Sequence, residues 1–417
     1  IEKWDVLEAT ISGPNEGNPF CDQWIKGTFC CKNEKKTVDG FYDGDGTYRV
    51  RFMPSFTDEY TFEIEASFDI NAGEDVPDKE VPEYKLGTAD GGKEAEKCAV
   101  RNILTGSFIV TSPSADNHGP VRVAGTYYLA YEDGTPYHCI GTTCYVWNLQ
   151  NEELQKQTLK TLEENAFNKI RFCIFPKHYD YNLHEPITYP YEGTPCDSTV
   201  LNENNFAEYN GCAPGNDWDF TRFNPAHFQH IEKCIQALMN LGIEADLIVM
   251  HPYDRWGFSM MKAEDDDRYW KYVLARFSAY RNVWWSLANE YDLMHEKTLS
   301  DWERYAGIIC EKDPYHHLRS IHNCKAYYDY NLPWITHCSI QRTETYRSSE
   351  LVNEWREKYH KPVILDEICY EGNIQFGWGN ISGEEMTRRF WEAFCRGGYP
   401  GHGETYLSPD RILWWSH

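Results

Sequence analysis

In residues 281–290, RNVWWSLANE, the uncharged run Val283–Ala288 leads directly into Asn289 and Glu290. Six such residues in succession predict a strand that is buried on both faces, as in a parallel sheet. A carboxylate directly after a buried run is costly unless it is paired or lies at a surface. The stretch therefore predicts a parallel strand that ends at a functional edge of the sheet.

The same pattern recurs along the rest of the chain. Apolar runs alternate with helical patterns, one of which begins at Asn224-Pro225, an N-cap residue followed by proline at the first helical position. The predicted strands are His138–Cys144, Lys169–Phe175, Ile243–Met250, Val283–Ala288, Arg319–His322, Ile335–Ile340, Val363–Glu367 and Tyr399–Glu404. Eight strands with intervening helices predict an α/β fold of the (β/α)8 TIM-barrel type. A doubly wound open sheet is the alternative, but the sequence lacks its usual glycine-rich nucleotide loop.

The first hundred residues follow a different pattern. Tyr48–Phe52 and Tyr60–Phe68 alternate apolar and polar residues, which is typical of half-buried antiparallel strands. Residues 69–106 are rich in Asp, Glu, Lys, Gly and Pro, as at a domain boundary. We therefore expect an antiparallel β-sandwich domain over 1–105 and a barrel domain over 106–417. Because the sequence stops before a convincing eighth helix, we expect either a truncated barrel or an unusual closure.

Composition excludes several classes of partner. The 417 residues include 40 Lys and Arg against 65 Asp and Glu, which gives a net charge of −25. This balance argues against nucleic acid, which requires a basic face, and no apolar run is long enough to predict a membrane span. Aromatic residues make up 15%, and their flat faces suit stacking on sugar rings. The 15 cysteines contain no CxxC pair, so we expect buried thiols in a reducing cytoplasm, without a metal or other cofactor.

Catalytic groups of a barrel lie at the carboxyl ends of its strands. Glu290 and Glu367 each end a strongly apolar run, and the two runs are strands four and seven, on opposite walls of the barrel. Both carboxylates can therefore point into one mouth, as glycoside cleavage requires: one protonates the leaving oxygen, and the other attacks the anomeric carbon or activates water. The alternative is that each carboxylate pairs with an arginine at the rim. Asp366 is expected to point away from Glu367, because neighbours on a strand face opposite sides.

At these positions the chain resembles known glycoside hydrolases. Trp284–Glu290 is similar to the strand-four Asn–Glu signature of clan A enzymes, and Pro362–Glu367 is similar to their strand-seven nucleophile segment. From about residue 108 onward the chain resembles the apiosidase-like (β/α)8 domain. Phe41–Gly46 and Arg51–Pro54 resemble the small β-sandwich that precedes this domain in many bacterial proteins.

The resemblance implies a role for individual residues. Glu290 would be the acid/base, with a pKa raised by burial and by the neighbouring carboxylate, and Glu367 would be the nucleophile of a retaining enzyme. Asn289 would bond the sugar 2-hydroxyl, while Arg171 and His251 match strand-end residues of the family. Further substrate contacts are expected from Trp256, His322, Gln341, His402 and Trp414.

Two departures from the family pattern leave questions open. Ser339-Ile340-Gln341 stands where family 5 relatives have His-x-Tyr, so the group that orients the nucleophile is not identified. Thr142-Thr143 replaces an acidic residue common in apiosidase-like domains, so the sugar is not identified either.

The sequence thus predicts a hydrolase of O-glycosidic bonds in a plant-type oligo- or polysaccharide. The long segment Pro176–Asn224 follows strand two, and we expect it to close one end of the cleft and to make the enzyme exo-acting. The residues expected to form its wall are Tyr179, Tyr181, Tyr189, Tyr191 and Trp218. Two alternatives stay open. One is a non-catalytic carbohydrate-binding barrel, and the other is a metal-dependent hydrolase with His251, His322 and His337 as ligands. The oligomeric state is not predicted.

Overall fold

The structure is a computed structural model that describes residues 1–72, 102–179, 182, 184–197, 213–342, 344–347 and 349–407. Its N-terminal strands are β1 (Leu7–Ser12), β2 (Ile25–Cys30), β3 (Lys35–Asp39), β4 (Phe41–Tyr42), β5 (Thr47–Phe52), β6 (Glu59–Ala66), β7 (Asn71–Ala72) and β8 (Asn102–Ile109). They form two antiparallel four-stranded sheets, in the orders β4-β5-β1-β7 and β3-β2-β6-β8. Helix α1 (Pro19–Asp22) lies between β1 and β2.

Apolar side chains fill the space between the two sheets. Alternate residues of β5, namely Tyr48, Val50 and Phe52, are at most 1% exposed, which confirms the period-two prediction for this segment. β8 pairs with β6 along its whole length up to Ile109. We therefore propose that the boundary between the two domains follows Ile109 rather than residue 105.

Eight parallel strands form the second domain. They are barrel strands one (Gly141–Thr143), two (Lys169–Cys173), three (Glu244–Met250), four (Val283–Ala288), five (Arg319–Ser320), six (Cys338–Gln341), seven (Val363–Glu367) and eight (Tyr399–His402). Neighbours in the sheet follow the chain order, and strand one also pairs with strand eight. Strands five and six meet at the bridge between His322 and Ser339, which closes the ring. This closure confirms the barrel and rules out the open doubly wound sheet.

Helices surround the barrel strands. They are α2 (Glu152–Glu163), α3 (Pro225–Asn240), α4 (Ala263–Phe277), α5 (Leu299–Lys312), α6 (Val352–Tyr359) and α7 (Gly383–Cys395). Short antiparallel pairs join Val121–Ala124 to Tyr128–Tyr131 and Tyr191–Thr194 to Asp217–Phe223, and a parallel pair joins Glu371–Gly372 to Glu404–Thr405. Across the described ranges, no helix combines the length and apolar character needed to cross a membrane.

The junction between strands five and six, which we call the seam, relies on side chains. Its backbone contacts are the single bridge named above and a bond from Thr336 to Arg319. Four side chains donate to carbonyls here: Ser320 to His337 (2.6 Å), Asn323 to Gln341 (3.2 Å), Tyr330 to Ser339 (2.5 Å) and Thr336 to Arg319 (2.9 Å). The barrel is therefore closed at the seam by specific side chains more than by a backbone ladder.

Strand seven carries an extra residue relative to strand six. Between the pairs Ser339–Ile364 and Gln341–Glu367, the chain advances by two residues on strand six and by three on strand seven. The extra residue lets Asp366 and Glu367 face the same way, and Arg171 lies 3.8 Å and 3.7 Å from their respective carboxylates. The expectation that Asp366 points away from Glu367 is therefore wrong, because strict alternation holds only in a regular strand.

A buried ion-pair cluster links the sandwich to the barrel. Arg51 on β5 donates to both oxygens of Glu232 on α3, at 2.6 and 3.0 Å. Arg276 on α4 donates to Glu232 at 2.7 Å and pairs with Asp43 at 2.7 Å. All four residues are at most 6% exposed. We call Asp43, Arg51, Glu232 and Arg276 the junction cluster.

Candidate active site

A cavity of about 230 Å³ opens at the carboxyl ends of the barrel strands. Its wall brings together four polar residues that the sequence predicts for the site, Asn289, Glu290, Gln341 and Glu367. Aromatic rings form much of the remaining wall, from Tyr145, Tyr179, Tyr253, Tyr370 and Trp378. Both glutamates are nearly buried, at 6% and 7% exposure. The cavity thus combines two carboxylates with apolar faces, as expected of a sugar site.

Glu290 follows strand four with a φ of 51°, in the left-handed region that few non-glycine residues adopt. Such a conformation persists where the surrounding structure fixes it, and it is common at functional sites. The two carboxylate oxygens accept hydrogen bonds from the hydroxyl of Tyr253 and from the amide of Gln341. These bonds hold the carboxylate at the cavity wall.

Glu367 ends strand seven and accepts a hydrogen bond from the hydroxyl of Tyr145. Arg171 Nη1 lies 3.7 Å and His322 Nε2 lies 3.9 Å from the same oxygen, Oε1. Arg171 also donates to Asn289 Oδ1 at 3.2 Å, so one buried guanidinium links strands two, four and seven. Burial lowers the pKa of His322 well below its usual range, which leaves this imidazole neutral.

The protonation of the pair is set by burial and by mutual repulsion. Burial, followed by the charge of Glu290, raises the pKa of Glu367 to about 7. Arg171 and the Tyr145 hydroxyl oppose this shift, because both stabilise the anion. Glu367 therefore holds a proton up to nearly neutral pH.

The remaining predicted site residues lie behind the cavity wall or outside the described ranges. His251 Nε2 lies 3.2 Å from the carbonyl of Phe175, and Trp256 is 1% exposed. His402 bonds Glu371 at 3.0 Å and Thr142 at 3.2 Å. None of these three contributes to the wall. Trp414 lies outside the described residues.

The segment after strand two supplies only part of the expected aromatic wall. Tyr179 lines the cavity. Tyr191 and Trp218 instead pack against Phe258, with ring centroids 5.8 and 5.4 Å apart, and Tyr189 packs against Trp218 at 5.1 Å, so none of the three lines the cavity. Tyr181 lies outside the described residues. The expected wall is therefore reduced to one described tyrosine.

Several wall residues were not singled out by the sequence. Tyr145 and Tyr370 follow strands one and seven, and their hydroxyls lie 3.1 Å apart beside Glu367. Tyr145 is the hydrogen-bond partner of Glu367 for which the missing His-x-Tyr left no candidate. A search for hydroxyl residues within a few positions of every strand end would have found it.

One group among the described residues has the donor set of a metal site. Ligand atoms of Glu371, His402 and Glu404 lie within 4.8 Å of one another, beside strand eight and outside the cavity wall. His251, His322 and His337, the ligands considered from the sequence, do not form such a group in the part of the chain described.

Comparison with known proteins agrees with this architecture. The family model of the apiosidase-like catalytic domain matches residues 124–410. The chain belongs to the apiosidase-like family. Its members are glycoside hydrolases, and so is this protein. A domain of unknown function, DUF5060, matches residues 1–67 of this apiosidase-like protein. No curated protein matches the chain significantly.

Solved structures support the same assignment. A candidate glycoside hydrolase from Bacteroides vulgatus ATCC 8482 is 40% identical, with a TM-score of 0.85 over 100% of this chain and 74% of that one. A family 5 glycoside hydrolase from the same organism is 16% identical, with a TM-score of 0.52 over 72% of this chain and 66% of that one. The second likeness shows the barrel fold alone.

Proposed function

We propose that this apiosidase-like enzyme hydrolyses O-glycosidic bonds with retention, with Glu367 as the nucleophile and Glu290 as the acid/base. One observation carries the proposal: two nearly buried carboxylates from opposite walls of the barrel line one cavity. A retaining glycosidase needs such a pair on either side of the scissile bond.

The two carboxylates act in two steps. Ionised Glu367 attacks the anomeric carbon while Glu290 gives its proton to the leaving oxygen, which leaves a covalent glycosyl-enzyme. Water then attacks the same carbon, Glu290 takes the proton of that water, and Glu367 leaves as a carboxylate. Tyr145 and Arg171 hold the nucleophile, and Tyr253 and Gln341 hold the acid/base.

The proton shared by the pair must lie on Glu290 for the first step. Arg171 and Tyr145 favour this distribution, because they stabilise negative charge on Glu367. At a pH too high for the pair to keep a proton, the leaving group receives none. At a pH low enough to protonate both carboxylates, Glu367 is neutral and does not attack.

The wall also suggests how the sugar is bound. We assign the 2-hydroxyl contact to Asn289, whose amide oxygen is held by Arg171 and whose side chain lines the cavity. Tyr179 and Trp378 offer ring faces for stacking. His322 lies behind this wall, 3.9 Å from Glu367, and Trp414 stays a predicted contact.

The cavity size favours attack at a chain end. Its 230 Å³ lies below the roughly 300–1,000 Å³ of pockets that hold drug-sized ligands, which suits one sugar unit better than several. Exo action on a plant-type glycan is therefore our proposal. A cytoplasmic site of action also stays a prediction, and the 13 free cysteines of the described residues suit a reducing compartment.

The test is chemical rescue of Glu367→Ala on aryl glycosides. We expect nearly all turnover to be lost, and added azide to restore a glycosyl azide of inverted configuration, identified by NMR. Glu404→Ala is the matched control, because this mouth carboxylate lies outside the cavity wall and should keep most activity. Near-normal rates for Glu367→Ala would remove the nucleophile assignment.

A further inference from the structure

Lys177 is a buried cation on the cavity wall that the mechanism above does not use. It follows strand two and is 2% exposed. The peptide unit that follows it is held by two hydrogen bonds, because the carbonyl of Lys177 accepts from Asn182 Nδ2 at 2.7 Å and the N–H of His178 donates to the carbonyl of Tyr253 at 2.9 Å. The side chain therefore starts from a rigid position.

The ammonium of Lys177 lies over aromatic rings. Its Nζ is 3.9 Å from the ring centroid of Tyr145, 4.6 Å from that of Tyr253 and 5.2 Å from that of Tyr179. Strand two lies between strands one and three in the barrel, which is why its cation reaches tyrosines that follow both neighbours. Desolvated cation–ring contacts of this kind are stronger than exposed ones.

Two of these tyrosines are the hydrogen-bond donors to the two carboxylates. Tyr145 donates to Glu367, and Tyr253 donates to Glu290. Lys177 thus contacts two phenol rings, and the hydroxyl of each ring donates to one of the two carboxylates. This arrangement places Lys177 at the centre of an arc of four groups. A buried lysine is costly, so its place at the centre of the arc calls for a role.

We propose that Lys177 is a positioning residue for the glycosidase reaction, which orients and polarises the hydroxyls of Tyr145 and Tyr253 toward Glu367 and Glu290. This inference rests on the proposed function. A cation over a ring face draws electron density from the phenol oxygen, so the hydroxyl becomes a stronger donor. A stronger donor stabilises the ionised carboxylate that accepts from it.

Lys177 has charged or titratable neighbours on the structural elements that pack against it. The opposite charges are Glu290 and Glu367 across the cavity, the like charge is Arg171 beneath it, and the other titratable neighbours are Cys173, Tyr145, Tyr179, Tyr253 and His251. Burial lowers the pKa of Lys177 to about 8, so the side chain remains charged at pH 7. Removing this charge weakens both phenol donors and takes a cation from two anions, and both effects raise the carboxylate pKa values.

The test is the pH profile of kcat/KM for Lys177→Met on an aryl glycoside. We expect both limbs of the bell to move to higher pH by about one unit, the lower end of what a nearby charge produces. Lys177→Arg keeps the charge and should keep the limbs near their wild-type positions. Lys361→Met removes a half-buried lysine that bonds carbonyls at 2.6 and 2.7 Å away from the cavity, and should move neither limb.

A double-mutant cycle with Tyr253→Phe tests whether Lys177 acts through the phenol. We expect the double variant to lose much less than the product of the two single losses, since the second change removes an effect already lost. Independent losses, or a raised KM with unmoved limbs, would overturn the inference in favour of direct substrate contact. If Lys177→Met does not fold, Lys177→Gln is read by the same criteria.

The two proposals fail separately. Turnover that survives Glu367→Ala removes the proposed function itself. Turnover lost in Glu367→Ala, together with unmoved limbs in a folded Lys177→Met protein, leaves the function intact and removes only the role of Lys177.

Discussion

Replacing Glu232 by glutamine should destabilise the whole protein through the junction cluster. The change keeps the shape of the side chain but leaves the guanidiniums of Arg51 and Arg276 without the carboxylate that they share at 2.6 and 2.7 Å. Removing one partner of a buried ion pair costs roughly 3–5 kcal/mol. Asp43 still pairs with Arg276 at 2.7 Å and Glu8 with Arg51 at 2.7 Å, so we expect the lower end, about 3 kcal/mol.

Urea unfolding followed by tryptophan fluorescence measures this loss, since urea does not screen ion pairs. Glu132→Gln is the matched control: Glu132 pairs with Arg122 at 2.6 Å, but its side chain is 42% exposed, so the change should cost at most about 1 kcal/mol. Arg51→Met combined with Glu232→Leu should recover part of the loss, because an apolar pair leaves fewer unpaired charges. If the Glu232→Gln protein is as stable as the Glu132→Gln protein, the junction cluster does not contribute the expected free energy of unfolding.

Four further outcomes are expected. Burial raises the pKa of Glu244 to about 8, so the folded state binds the extra proton and the free energy of unfolding falls as pH rises from about 4.5 to 8; Glu244→Gln should flatten this slope in thermal melts at pH 5 and 8.5. A Cβ on Gly403 would lie 1.8 Å from the Tyr370 ring, so Gly403→Ala should lower kcat by about 100-fold, whereas Gly307→Ala, with open space around it, should not. Glu290→Ala should lose most activity on aryl glycosides with poor leaving groups, and equal losses on good and poor ones would exclude it as the acid. A chelator should leave turnover intact, and a loss of turnover would instead favour a metal-dependent hydrolase.

The barrel strands differ in how well the sequence predicts them, and the reason is physical. Val283–Ala288 and Val363–Glu367 match the observed bounds, because runs that begin with several apolar residues in succession mark strands that are buried on both faces. Strand five was predicted as Arg319–His322 but is regular only over Arg319–Ser320. Beyond Ser320 the chain is held by side chains of the seam, and the pattern of apolar residues in the sequence does not reveal such bonds.

The sequence likewise predicts some features of the candidate site and not others. Both carboxylates follow from one rule, that functional groups end barrel strands, and their assignment as acid/base and nucleophile stays a prediction. Tyr145 could not be paired with Glu367 from sequence, because a partner more than 200 positions away depends on barrel closure. The extra residue in strand seven was equally hidden, since a bulge leaves the apolar pattern of Val363–Leu365 unchanged.

The seam has a consequence for how the family's evolution is interpreted. A backbone ladder accepts almost any side chain, so most strand positions are free to drift as long as they remain apolar. Ser320, Asn323 and Tyr330 do not have that freedom, because their side chains supply the bonds themselves. We expect an alignment of apiosidase-like proteins to show these three positions as constrained as Glu290 and Glu367. Invariance there would record the closure of the barrel, and it should not be taken as a mark of contact with sugar.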